Sequence, residues 1–300
     1  MQLISTYCLI FIFLCGTYST ESYGQEASAF HKADSLLQSG KFRDAGLEYE
    51  YIVFRDSSWI VKNRALMGKA EALKQMGSFD KAQRSLERIN FEVMDDSLQF
   101  IVRMQTALCA YLAGNFKDAE SQLLQIDYYL GDSIYYKKSL PMRILVFNEL
   151  RDYANAQRCV MEFSNLMVQH HPGTEEINNE FELLYSRRNV PKIKKPETAQ
   201  LLSTFVPGLG QLYAGYPGEA VLSGLFTAGS LAMAGVAFYF KYWITGYFVG
   251  LGLFQKFYFG GQTRVKYLAE KRNYVNCNEF NNKVKMLILD KYKLFEEISF

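Results

Sequence analysis

His31, His170 and His171 are the three histidines of a 300-residue chain. Imidazole is the side chain best suited to metal ligation and to acid–base work near neutral pH, so these positions bound such chemistry from the start. His31 stands alone. His170-His171 precedes Pro172 at a helix end, where interaction with the helix C-terminus accounts for the pair. Of five cysteines, Cys8 and Cys15 fall in an N-terminal apolar segment, and Cys109, Cys159 and Cys277 are widely spaced with no C-x-x-C. Cys109 and Cys159 lie among Ala, Leu and Val and read as small buried apolar groups; the spacing leaves a bridge between them open. Gly208-x-Gly210 lacks the third glycine and the preceding strand of a dinucleotide fingerprint, and no P-loop, H-E-x-x-H or G-x-S-x-G occurs. Asp95-Asp96 and Asp127 fall in or near connections, where solvation and capping explain them. The expectation is a non-enzymatic protein with no catalytic residue, metal or cofactor.

Composition narrows the class further. Thirty-three basic and 31 acidic residues leave a net charge of +2, too balanced for a dedicated nucleic-acid binder. With 49% hydrophobic and 21% charged residues the chain is neither disordered nor fibrous. These averages hide a split between a charged, helix-friendly first two-thirds and an apolar stretch rich in Gly and aromatics.

The elements that organise the first part announce themselves by repetition. Gly40-Lys41-Phe42-Arg43-Asp44-Ala45 recurs as Gly77-Ser78-Phe79-Asp80-Lys81-Ala82 and as Gly114-Asn115-Phe116-Lys117-Asp118-Ala119. Arg151-Asp152-Tyr153-Ala154-Asn155-Ala156 is a fourth, degenerate copy, and starts at 40, 77, 114 and 151 give a period of 37. Tyr49, Leu86, Leu123 and Val160 follow each Ala by four residues; Ile52, Ile89, Ile126 and Phe163 follow by seven. The spacing predicts helix pairs: Gly ends a first helix with a positive φ, the aromatic plugs the gap, and Ala45, Ala82, Ala119 and Ala156 mark close helix contacts. Residues 29–39, 65–76, 101–113 and 140–150 read as the first helices, and 175–187 as a capping helix.

This pattern resembles the tetratricopeptide repeat (TPR), most closely in Ala65-Leu66-Met67-Gly68-Lys69-Ala70 leading into Gly77, Phe79 and Ala82. The usual TPR unit is about 34 residues, so each connection here is longer, and the fourth copy lacks its Gly. The resemblance implies an all-α, TPR-like solenoid over residues 25–190 with a groove for a protein segment. Arg64, Met67, Glu71, Lys74, Met104, Leu108 and Tyr111 fall on its expected inner face; contact with the next repeat is the competing reading of the same residues.

The ends of the chain concern location. Residues 4–15 form a short apolar run, followed by small and polar residues through Ser22-Tyr23-Gly24, as in a secretory signal cleaved after residue 24, although Met1-Gln2-Leu3 carries no basic side chain. Residues 191–198 close a basic, proline-containing linker. Residues 199–262 read as a membrane module: a short helix running into Pro207-Gly208-Leu209-Gly210-Gln211, a span over 220–240 with Gly224, Ala228 and Ala232 at four-residue spacing and Ser230 and Ala234 beside them, which lets a neighbouring helix approach closely, and a return over 242–260 carrying Gly246-x-x-x-Gly250. Lys256 is off-pattern there and reads as a snorkelling side chain. Pro207, Gly208, Gly210, Gln211 and Tyr213 resemble a membrane hairpin module of bacterial envelope proteins with no established activity, and distantly the two-span TM2 domain. Residues 263–300 read as a polar, amphipathic helical tail.

Together these readings predict a TPR-like helical solenoid followed by a transmembrane helical hairpin. The expected role is an envelope adaptor with a protein partner and the lipid bilayer as contacts, no nucleic acid, and self-association through the small-residue faces of the hairpin. A component of an oligomeric transport or channel assembly is the alternative. The favoured location is the inner membrane with the repeats facing the periplasm. Basic clusters on both sides of the hairpin favour the alternative, cytoplasmic repeats behind an uncleaved anchor.

Overall fold

Four helix ends, three closed by glycine and one by arginine, share one backbone geometry. A computed structural model describes residues 26–171 and 176–296; residues 1–24, read above as a signal, lie outside the described residues. The first unit runs to His170 and contains α1 (Glu26–Gln38), α2 (Phe42–Arg55), α3 (Trp59–Gln75), α4 (Phe79–Leu86), α5 (Asp96–Ala113), α6 (Phe116–Leu130), α7 (Ser133–Glu149) and α8 (Tyr153–His170). All described secondary structure is helical.

Gly40, Gly77 and Gly114 have φ of 75°, 68° and 83°, and Arg151 takes the same left-handed turn at 61°. In every copy the N–H of this residue bonds three residues back, and the next N–H bonds five back, as in Lys41 to Leu36 at 2.9 Å and Asp152 to Phe147 at 2.9 Å. This double bond satisfies carbonyls that a helix end leaves orphaned. A Cβ on Gly40, Gly77 or Gly114 would meet nothing, so glycine is favoured there by backbone conformation alone. Arg151 bears the left-handed penalty. Arg151→Gly is expected to stabilise the first unit by about 0.5–1 kcal/mol after the extra unfolded-chain entropy is subtracted. A higher urea midpoint, read from Trp59 fluorescence in a Trp243→Phe background, checks it.

Ala45, Ala82, Ala119 and Ala156 are each fully buried, and the apolar residues four and seven positions later are all buried, at 7% exposure or less. Phe42, Phe79, Phe116 and Tyr153 are half-buried over the turns. The second pair shows the antiparallel order, since Asn63 meets Asn90 while Leu66 meets Ser85; in the first pair Asp34 meets Tyr49 and Lys32 meets Glu48. The helices before each turn begin earlier than periodicity suggested. Asp95 accepts from the Leu98 N–H at 2.8 Å and Asp132 from the Ile134 N–H at 2.9 Å, so the caps lie upstream of the first apolar residues.

The second unit holds α9 (Glu176–Leu184), α10 (Pro196–Phe205), α11 (Leu209–Tyr213), α12 (Pro217–Tyr239), α13 (Trp243–Thr245), a π-helical turn (Gly246–Leu251) and α14 (Gly252–Glu296). Residues expected to cap the repeats thus fall here. Ile177, Phe181 and Tyr185 are buried, Tyr185 packs edge-on against Phe280 at 5.3 Å, and Lys291 pairs with Glu180 at 3.5 Å. The expected separate return span and tail are one continuous run: the 45 residues of α14 extend about 68 Å at 1.5 Å per residue. The linker before α10 is pinned as well, since the buried Asn273 amide exchanges two 2.7 Å bonds with the backbone of Lys194.

Among the described residues one helix, α12, is long and apolar enough to cross a membrane. Its polarity is turned inward. Thr227 and Ser230 are buried and bond to carbonyls of their own helix, whereas Val221, Leu225, Val236 and Tyr239 are exposed. Of the small residues expected at the helix contact, Ser230 and Ala234 are packed inside together with Thr227, whereas Ala228 and Ala232 are exposed. Gly250 packs against Ala234, where a Cβ would come within 2.5 Å of its backbone, and Gly246 packs against the Phe238 ring.

Candidate functional site

The residues expected to line a groove divide in two. Met104 and Tyr111 are 9% and 8% exposed and belong to a core cluster with Leu123 and Ile126. Met67 and Leu108 are half-buried against neighbouring core. Lys74 bonds Gln105 at 2.8 Å and Glu71 at 2.5 Å. Arg64 is the exposed member, lying 4.2 Å over the Phe30 ring and 3.7 Å from Asp34. Most of these side chains therefore join one helix to the next, the competing reading given by sequence.

A cleft of about 230 Å³ lies on the opposite side of α3 from Arg64, Met67, Glu71 and Lys74, lined by Lys69 and Leu73 of α3, Lys81, Arg84 and Ser85 of α4, and Arg88 just beyond it. Glu50 accepts from Lys69 at 2.8 Å and Arg88 at 2.9 Å, and Asp80 holds Arg84 at 2.5 Å. Among the described residues Lys81 has no carboxylate partner. The cleft is thus a basic surface with one cation, Lys81, not neutralised by a carboxylate among the described residues.

Glu50 also sets a pH dependence. Burial alone would raise its carboxyl, but the hydrogen bonds from Arg88 and Lys69 outweigh burial and hold it below the ordinary range. A depressed carboxylate contributes stability above its unfolded pKa and loses it as pH falls through the folded value. Glu50→Gln should therefore lower the first unit's melting temperature at neutral pH. The gap from wild type should close on acidification below the folded pKa, as thermal melts across that range would read.

In the second unit the Pro-Gly-x-Gly-Gln-x-Tyr segment forms a junction. Gly208 has φ 100°, and a Cβ there would collide with the Ala220 carbonyl oxygen; one on Gly210 would collide with the Ala199 carbonyl oxygen and Ser203 Oγ. These close approaches seat Gln211, 1% exposed, among three helices. The Ser203 hydroxyl donates to Gln211 Oε1 at 2.9 Å, and Gln211 Nε2 donates to Ser223 Oγ at 3.2 Å and the Gly261 carbonyl at 3.4 Å. The Gly210 N–H donates to Ser203 Oγ at 3.1 Å. Tyr213 Oη accepts from the Lys195 N–H at 3.3 Å, and its ring lies 4.7 Å from the Lys194 ammonium. One amide thus ties α10, α12 and α14, and a buried amide with both ends satisfied fixes a unique arrangement.

No family model, curated protein or solved structure matches the chain.

Sequence reasoning missed Asn63, Asn273 and Arg143. Buried Asn63 exchanges 2.7 and 3.0 Å bonds with the Asn90 backbone, the device by which Asn273 holds Lys194. None belongs to the repeat register, so periodicity carried no signal for them; an amide or guanidinium amid apolar helix residues was the available hint. Cys109, Cys159 and Cys277 are buried and form no disulfide. Burial pushes the Cys159 thiol up, away from the thiolate that a nucleophile needs. Among the described residues no three His, Cys, Asp or Glu side chains gather as a metal site.

Proposed function

We propose that this chain is a non-enzymatic, membrane-anchored TPR-like adaptor of the bacterial cell envelope. The observation that carries the membrane half is the inverted polarity of α12, whose hydroxyls face the protein while its large apolar side chains face out. Water penalises such a surface and a bilayer does not. The adaptor half rests on four helix pairs in one register together with the basic cleft around Lys81. The helix pairs form a solenoid, and the cleft, on the side of α3 turned away from the expected groove, takes an acidic segment of a protein partner. The return from Trp243 through Gly260 is the second crossing of the hairpin. The repeats face the periplasm of an inner-membrane protein. Alkaline phosphatase fused after Ser164 is then active, and the mature chain begins at Gln25; an inactive fusion with an intact Met1 assigns the repeats to the cytoplasm.

Partner binding has its own test. Met104 is buried, so a charge there reports unfolding. Lys81→Glu changes the exposed cleft instead. This variant should lose a specific co-purifying protein from gently solubilised membranes with its melting temperature kept; survival of every co-purifying protein refutes the cleft as the partner site. The exposed Ala228 and Ala232 favour a second reading, an oligomeric transport or channel assembly joined through that face. Crosslinking between cysteines introduced at position 228 would support it.

A further inference from the structure

A second cleft, of about 430 Å³, opens between α12 and α14, with Gln211, Glu219, Ser223, Lys256, Gly261 and Arg264 in its lining. Its two cations are not equivalent. Arg264 closes on Glu219 with two bonds, of 2.6 and 3.1 Å, so that pair is internally neutral. Lys256 lies eight residues away on the same helix, two turns or about 12 Å further toward the α12–α13 corner. Among the described residues it has neither a carboxylate nor a hydrogen-bond partner. Its neighbours in the lining are apolar: Phe226 and Phe257 stack at 5.2 Å, and Leu222 is 52% exposed. Gly260 leaves the α14 wall bare, with nothing within 4 Å of a Cβ there, whereas Gly261 closes the cleft by packing against Ser223 Oγ, which a Cβ would approach to 3.1 Å.

An unpaired ammonium at membrane depth calls for a named counter-ion. We propose that this cleft binds the phosphodiester of an anionic phospholipid, with Lys256 as its counter-ion and the acyl chains along Leu222, Leu225 and Phe226. The inference rests on the membrane reading above. Lys256 and Arg264 less Glu219 leave one positive charge, which matches one phosphodiester on an uncharged head group, as in phosphatidylglycerol. A zwitterionic lipid would bring an ammonium toward a carboxylate already held by Arg264. A lysine that merely snorkels would need no cleft with a bare wall at Gly260 beside it.

The test uses the full-length membrane protein in two steps. Flotation with phosphatidylcholine vesicles reads membrane association, and native mass spectrometry in detergent reads retention of phosphatidylglycerol against phosphatidylcholine. Wild type is expected to float and to retain phosphatidylglycerol at least about tenfold better; Lys256→Met should float equally and lose that preference, and Lys256→Arg should keep it. Inorganic phosphate should not displace the lipid. A wild type that floats without preference, or a Lys256→Met variant that keeps it, overturns the cleft and spares the membrane reading. Displacement by inorganic phosphate assigns the site to a free anion and refutes the lipid. A wild type that fails to float overturns both readings.

Discussion

Gly210→Ala is expected to destabilise the second unit by about 3 kcal/mol, because the added methyl has no space and no yielding neighbour. It would fall on the Ala199 carbonyl oxygen and Ser203 Oγ, that is, on backbone and on the hydroxyl that serves Gln211. To admit it, α10 must separate from α11, and the bonds from Gln211 to Ser223 and Gly261 stretch in consequence. Gly229→Ala is the matched control. Nothing lies within 4 Å of a Cβ there, and Gly229 sits inside α12. Ala at an open helix interior position should stabilise by about 0.5–1 kcal/mol. Thermal unfolding in detergent, followed by Trp243 fluorescence, should therefore shift in opposite directions for the same chemical change. Equal shifts would refute the close packing of the junction.

Arg143→Leu is expected to lower the stability of the first unit by about 3 kcal/mol. The side chain of Arg143 is 4% exposed. It donates to Ser139 Oγ at 2.7 Å, the Leu123 carbonyl at 2.9 Å and Asp127 at 2.6 Å, with Tyr136 beneath it at 4.6 Å. Leucine keeps the bulk and removes every donor, so the Leu123 carbonyl loses its side-chain partner inside the helix contact. Asp127 is 38% exposed and recovers water, which holds the cost at the low end for a broken ion pair. Asp127→Asn retains an acceptor for the guanidinium and should cost only about 1 kcal/mol. Urea midpoints with Trp59 as the probe would order the two variants. Equal midpoints would show that Asp127, and not the backbone carbonyl, carries the interaction.

Both positions illustrate what a one-dimensional pattern conveys. Gly210 stood out in the sequence as part of a recognisable string, yet its reason is a carbonyl eleven residues away on another helix. Arg143 did not stand out, because three partners on two helices converge on it only after α6 and α7 have packed. Likewise Met104 and Tyr111 were legible as helix residues with a helical spacing. Whether that spacing faced a groove or a neighbour depended on where α6 lies.

The sequence by itself determined the local and recurrent features. The four left-handed turns at Gly40, Gly77, Gly114 and Arg151, the buried alanines five residues on, and the apolar length of α12 all follow from constraints within one or two helical turns. Such constraints repeat whenever the string repeats, even where Arg replaces Gly. The tertiary structure decided the rest: which face of α12 turns inward, that α9 joins the second unit, that the return span and tail are one helix, and that Lys256 lines a cleft between α12 and α14. Helical periodicity fixes which side chains share a face, but small residues at 224, 228 and 232 and hydroxyls at 223, 227 and 230 form two candidate faces about 130° apart around one helix. The choice between two such faces is made by the carbonyls, rings and amides of other elements, whose positions no local spacing encodes.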